Sequence, residues 1–252
     1  MRAEFLLVNN NNSRTKFALA DGHTLVETTH RAVETAALFP ESIDEAIGDW
    51  EFEKVVLASV VPAKADLLRT HFSANSPVVE ISHRIPLGVA IDFPDPRSVG
   101  ADRLANAAAV AAFHSAPAIV VDFGTAVTFD IVATEESGPA YIGGVIAPGL
   151  DVMRDYLHQR TALLPQIDLC EPPAAIGKST IDAMLSGAVH GYRGLVREIL
   201  ERVREEMDTN SPPKIIATGG YAALIAAGLP EIDEVDALLT LRGLAAIGTL
   251  HS

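Results

Sequence analysis

The chain carries one short pattern twice, and this repetition constrains the fold more than any other feature. Residues 6–16 read Leu6-Leu7-Val8-Asn9-Asn10-Asn11-Asn12-Ser13-Arg14-Thr15-Lys16. Residues 119–130 read Ile119-Val120-Val121-Asp122-Phe123-Gly124-Thr125-Ala126-Val127-Thr128-Phe129-Asp130. Each copy is a short apolar strand, a carboxamide or carboxylate, a tight turn with hydroxyl groups, and a second strand. One such segment alone reads as an ordinary β-hairpin, because turn residues recur for backbone reasons. Two copies, aligned Asn9 to Asp122 and Asn11 to Gly124, say more. A turn of this kind aims backbone N–H groups and hydroxyls at one spot, and such a concavity suits phosphate. The expectation is two similar half-domains that clamp one polyphosphate.

The 252 residues are enough for one large domain or two smaller ones, and 48% hydrophobic with 21% charged residues is ordinary for a chain with a real core. The net charge of −14 disfavours nucleic acid as a partner, since an acidic surface repels a phosphate backbone. It repels ATP at long range too, so a nucleotide site needs local N–H groups and a metal ion. The single cysteine, Cys170, cannot form an internal disulfide, which suits a reducing cytoplasm. No basic apolar leader opens the sequence and no apolar run reaches about 18 residues, so the reading is a soluble cytoplasmic protein without a membrane partner.

Strands and helices alternate along the chain. Residues 4–9, 15–20 and 23–28 read as a strand meander, 55–60 as a buried strand, and Pro62 as the first turn of a helix. Two short strands follow at 78–82 and 88–92, then an alanine-rich helix over 99–113. The pattern restarts at Ile119, with strands at 119–123, 126–132 and 140–146, and a helix after Pro148. A long helix over 179–206, a strand at 214–218, a glycine pair and two further helices complete it. The predicted architecture is two mixed α/β lobes, 1–115 and 116–252, packed directly without a linker.

Gly100-Ala101-Asp102-Arg103 opens the alanine-rich helix. An aspartate in a first turn is stabilised by the helix dipole whatever else it does. It can also accept the proton of a substrate hydroxyl, while Arg103 offers its fork of donors to a carboxylate or phosphate. Gly143 to Gly149 joins a strand to a helix and serves either as plain loop or as close-approach backbone. Gly219 and Gly220, after the strand Ile215-Ile216-Ala217, leave room for a base or ribose against the backbone. Gly177-Lys178-Ser179 only resembles the end of a Walker loop, because Pro172 occupies the required upstream glycine position. Asp122-Phe123-Gly124 matches the protein-kinase metal motif in letters alone. The eight histidines show no metal-ligand spacing.

Taken together and in order, these segments resemble type III pantothenate kinase, within the acetate and sugar kinase and actin superfamily. The family's opening motif falls on Asn9 to Lys16. Its Ser-Val-Val-Pro stretch falls on Ser59 to Pro62, its substrate segment on Phe93 and Gly100 to Arg103, and its second phosphate motif on Asp122 to Ala126. The Gly143–Gly149 stretch, Ile176 to Thr180 with Ser186-Gly187, and Thr218-Gly219-Gly220 follow. The resemblance implies a duplicated actin-like (ribonuclease-H-like) ATPase fold. It also implies ATP-dependent phosphorylation of pantothenate at its primary hydroxyl to 4'-phosphopantothenate, the first step toward coenzyme A. It implies Asp102 as the base, with Phe93, Gly100, Ala101, Asp102 and Arg103 binding pantothenate. Thr180 would come from the partner subunit of a homodimer. It implies that Asn9, Asn10, Asn11, Asn12, Ser13, Arg14, Thr15, Lys16 and Thr125 hold the ATP phosphates with Mg2+, that Gly219 and Gly220 lie near the adenosine, and that Asp122 holds a monovalent cation, K+ or NH4+.

The chain departs from the family pattern at four places. Asn9 stands for an aspartate and loses a negative charge near magnesium. Asn11 stands for a glycine, and asparagine accepts positive φ more readily than most residues. Phe93 stands for a tyrosine and loses a hydroxyl, and Ser179 stands where asparagine is common. Two other functions fit the same residues. One is another small-hydroxyl kinase of the superfamily. The other is a catalytically weakened member acting as a binding or regulatory protein, which Asn9 favours.

Overall fold

The computed structural model describes residues 1–207 and 211–252. The chain runs β1 (Arg2–Asn10), β2 (Arg14–Asp21), β3 (Thr24–Leu25), β4 (Arg31–Glu34), α1 (Pro40–Ile47), β5 (Glu51–Ser59), α2 (Pro62–Ser73), β6 (Val78–Glu80), β7 (Ala90–Ile91) and α3 (Ala101–Phe113). It continues with β8 (Ala118–Phe123), β9 (Ala126–Glu135), β10 (Gly138–Pro148), α4 (Leu150–Arg160), α5 (Thr180–Met207), β11 (Lys214–Gly219), α6 (Ala222–Ala226), β12 (Glu234–Val235) and α7 (Leu239–Leu250). The expected third strand over 23–28 shrinks to Thr24–Leu25, and Thr28 takes a positive φ of 68°. A non-glycine residue in that region breaks the extended run.

The two sheets share one connectivity. The first has the order β3-β2-β1-β5-β6, with β4 also on β2. Read from its other edge, the second has β7-β10-β9-β8-β11-β12, the same order with β7 added at the edge. In each, three consecutive strands form the meander and two later strands add on beside the first of the three. β1 pairs antiparallel with β2 and parallel with β5, while β8 pairs parallel with β11, which pairs parallel with β12. Parallel additions need crossovers, and helices supply them.

The chain divides into two compact units. The first comprises 1–116, 132–143 and 238–252, and the second 117–131 and 144–237. Both 132–143 and 238–252 lie in the half expected to form the second lobe, yet they pack with the first unit. The reasons are local: β10 carries β7 at Ala140 and Tyr141, and α7 lies on α3 so closely that a Cβ at Gly243 would fall on the Ala105 carbonyl.

In the first unit β1 is apolar on both faces, as a sheet covered on both sides demands. Leu6, Val8, Phe17, Leu19, Val55 and Leu57 point to one side, where Ile43 of α1 and Leu68 and Phe72 of α2 meet them. Phe5 and Val56 are buried under α7, where Gly248 brings the helix backbone against them. In the second unit Ile119, Val120, Val121, Ile215, Ile216 and Ala217 are fully buried. No helix among the described residues is long and apolar enough to cross a membrane.

Candidate active site

In the first unit β1 delivers Asn9 and Asn10 to a turn of three residues, 11–13, closed by the Asn11 N–H to the Arg14 carbonyl at 3.1 Å. A chain of polar contacts fixes the turn. Ser59 Oγ donates to Asn10 Oδ1 at 2.6 Å, Asn10 Nδ2 donates to Thr15 Oγ1 at 2.7 Å, and Thr15 Oγ1 lies 3.1 Å from Thr35 Oγ1. The Thr35 hydroxyl donates to the Asn11 carbonyl at 2.6 Å. Asn10 and Thr15 are thereby spent on structure, buried and partnered. Asn9 is only 2% exposed, and its Oδ1, like that of Asn11, is buried with no hydrogen-bond partner among the described residues. Asn12, Ser13 and Arg14 are exposed and Lys16 is half-buried. Asn11 does not use a positive φ; Thr28 is the only non-glycine residue in that region among those described. The turn therefore accepts asparagine without strain.

Also in the first unit, Gly100 caps α3 in an extended conformation and Asp102 lies in its first turn. Asp102 Oδ1 accepts the N–H of Arg103 at 2.8 Å. A Cβ on Gly100 would sit 2.6 Å from that same Oδ1, so glycine leaves the carboxylate its place. Burial pushes the Asp102 carboxyl above the ordinary aspartate value, against the opposing pull of the Arg103 N–H and guanidinium. The Arg103 guanidinium lies over the ring of Tyr141 at 5.6 Å, and Phe93 packs on the same ring at 6.2 Å. Gly143, at φ 142°, brings its backbone to the edge of Phe93. Phe93, Arg103 and the first turn of α3 thus share one aromatic support, Tyr141. The sequence reading missed Tyr141 as a site residue. The aromatic two residues before the Gly143-Gly144 pair was the available signal.

In the second unit Asp122, one residue before the end of β8, pairs with Thr218, and Phe123 pairs with Gly219, which ends β11. Gly219 has φ 94°, and a Cβ there would lie 2.5 Å from Asp122 Oδ1 and 2.6 Å from the Phe123 carbonyl oxygen. Thr125 is exposed at the turn. The carbonyls of Gly124 and Thr125 press on Gly149 so closely that any side chain there would overlap them. Tyr221, next after Gly220, donates its hydroxyl to Asp151, which Arg154 also holds at 3.0 Å. The second phosphate motif, the start of α4 and the glycine pair therefore meet in one place. Thr180 opens α5, is exposed, and lines an apolar depression of about 440 Å3 with Met153, Leu157, Leu164 and Met184.

Oxygen donors suit hard cations. The unpartnered Asn9 Oδ1 would suit the hydrated magnesium that accompanies ATP. The Asp122 carboxylate and the Phe123 carbonyl, converging at Gly219, fit a monovalent cation. Among the described residues no cluster of three or more histidine, cysteine or acidic side chains is built to hold a metal by itself.

Two mixed sheets of one connectivity, each with a strand–turn–strand loop at the end of its first strand, define the class: an actin-like ATPase and sugar-kinase fold. The activator of the 2-hydroxyisocaproyl-CoA dehydratase from Clostridium difficile, solved with bound ADPNP, shares that fold at a TM-score of 0.53 and 11% identity, over 98% of this chain and 93% of that one. The sequence pattern of type III pantothenate kinase matches residues 5–202. A type III pantothenate kinase from Akkermansia muciniphila is 48% identical over 98% of this chain and 99% of its own length. One from Methylacidiphilum infernorum is 40% identical over 97% and 88%. The chain belongs to the type III pantothenate kinase family and is, by that membership, a kinase.

Proposed function

We propose that this chain transfers the terminal phosphoryl group of ATP to the primary hydroxyl of pantothenate, giving 4'-phosphopantothenate and ADP. The observation that carries the reading is the Asp102 carboxylate, its proton affinity raised by burial, at the start of a helix whose next residue is an arginine stacked on Tyr141. The hydroxyl oxygen bonds to the γ-phosphorus, the bond from that phosphorus to the β–γ bridging oxygen breaks, and the hydroxyl proton passes to Asp102. Phe93, Gly100, Ala101 and Arg103 hold the acceptor. The turn from Asn9 to Lys16, its shape fixed from beneath by Asn10 and Thr15, holds the phosphates together with Thr125, with Gly219 and Gly220 near the adenosine. Asn9 would face the magnesium that accompanies ATP, and that ion would supply charge neutralisation during the transfer.

Three further elements belong to the reading. Asp122 holds potassium or ammonium. The protein works in the cytoplasm. Two copies associate, and each lends Thr180 to its partner's acceptor site. What supports the dimer is the apolar surface around Thr180: Met153, Leu157, Ile176 and Ile181 are exposed although large and hydrophobic.

A coupled assay of ADP release with pantothenate, ATP, magnesium and potassium tests the whole. ADP release that depends on pantothenate, and not on sugars or acetate, is expected. Potassium or ammonium should stimulate it more than sodium. Release indifferent to pantothenate removes the substrate assignment. Activity unchanged by exhaustive removal of monovalent cations, and equal in Asp122→Ala, removes the cation.

A further inference from the structure

The first unit holds a cavity of about 540 Å3 whose wall shares Gly100 and Ala101 with the acceptor segment and is otherwise lined by residues to which the reaction above gives no role. Its walls come from the ends of β5 and β6, the loop after β6, and the segment leading into α3. His83, Arg84, Arg97 and Ser82 supply its polar lining. The charges there are unbalanced. Glu80, the one acid in the wall, is held through both carboxylate oxygens by Arg69 at 2.9 and 3.0 Å. Arg97 engages Asp95 through Nε alone, at 2.8 Å, which leaves its outer guanidinium edge for another partner. The side chains of Arg84 and His83 have no hydrogen-bond or ion-pair partner among the described residues. Ser82 Oγ accepts the Arg84 N–H at 3.4 Å, so its own proton remains to donate.

In a chain with a net charge of −14, the unpaired Arg84 and the open edge of Arg97, around a cavity whose one acid is already held by Arg69, are a local inversion of the surface. The first turn of α3 adds the positive end of its dipole, through Gly100 and Ala101 in the wall. Ser59, also in the wall, reaches Asn10 of the first turn at 2.6 Å. A ligand here would touch both the support of that turn and the segment that carries Asp102.

We propose that Ser82, His83, Arg84 and Arg97 make this cavity a binding site for a small oxyanion, carboxylate or phosphate, separate from the sites of ATP and of the acceptor. The proposal goes beyond phosphoryl transfer and is read by binding alone.

The test is calorimetric titration of the full chain with inorganic phosphate at low ionic strength, with a non-hydrolysable ATP analogue saturating so that the nucleotide's phosphate positions are filled. Saturable phosphate binding is expected, weakening with salt. Arg84→Gln and Arg97→Gln should each reduce affinity by roughly tenfold to a hundredfold, the scale of one charge-assisted contact. Both side chains are exposed, and unchanged circular dichroism will show that the variants fold. A repeat in the presence of pantothenate separates this site from the acceptor's. Retention of phosphate supports the proposal, and displacement returns the cavity to the acceptor and overturns it. No saturable binding beside the analogue, or equal affinity in the double variant, overturns the proposal.

Discussion

As the proposed base, Asp102 is the residue at which function and stability would pull in opposite directions. Its carboxyl has a raised pKa in the fold because burial disfavours the charge. A group raised in this way favours the fold fully below its unfolded pKa, and that contribution is lost as pH rises through the folded pKa. At neutral pH the ionised form is therefore a cost. Asp102→Asn should lose about 10²–10⁴ in turnover and melt at a higher temperature than wild type at neutral pH, the gap closing in acid. Thermal melts across pH beside the coupled assay check both halves, and wild-type turnover in the variant would remove Asp102 as base. The acid limb of the turnover profile should lie above the ordinary aspartate range. Asn9 poses the reverse question. Its Oδ1 is buried without a partner, and Asn9→Asp places a charge where a neutral oxygen now sits. The magnesium needed for half-maximal rate should fall by roughly tenfold, the scale of one charge-assisted contact to a hard cation. A rightward shift of the magnesium curve would mark Asn9 as an adaptation to like charge nearby.

At the scale of elements, the glycines of the second unit mark where backbone meets backbone. Gly149→Ala would drive a methyl into the carbonyls of Gly124 and Thr125. We expect a loss of about 1–3 kcal/mol in urea unfolding and a higher KM for ATP, because the displaced turn carries the second phosphate motif. An unchanged KM with lowered stability would separate the turn from the nucleotide. Most of these elements were legible in the sequence, because apolar runs such as Ile119–Val121 and Ile215–Ala217 have the length and flanking turns of buried strands. The crowding at Gly149 was not legible, since a glycine's neighbours through space leave no trace in its neighbours along the chain. The pairing of β7 with β10 was hidden for the same reason: two residues, Ala90 and Ile91, pair with partners some fifty positions away. At the candidate site, the motifs pointed to Asn9 to Lys16, Asp102 and Gly219. The support given by Ser59, Thr35 and Tyr141 emerged only from the fold.

For the whole molecule, the exposed apolar side chains of α4 and α5 make a testable claim on assembly. Leu157→Glu and Ile181→Glu should convert a sedimenting dimer to a monomer, with loss of activity if Thr180 completes the partner's site. A monomeric wild type would end that reading. The division of the chain has a consequence of its own. The segment 238–252 closes the first unit, with Gly243 of α7 set against Ala105 and Gly248 against Phe5 and Val56. Those partners are synthesised more than a hundred residues before the helix that covers them. During translation the face of β1 and β5 beneath α7 stays uncovered while the entire second unit emerges. That second unit, 117–131 with 144–237, has all its residues before α7 leaves the ribosome. The half of the protein that begins first is thus completed last, and its open sheet is the surface a nascent-chain chaperone would meet.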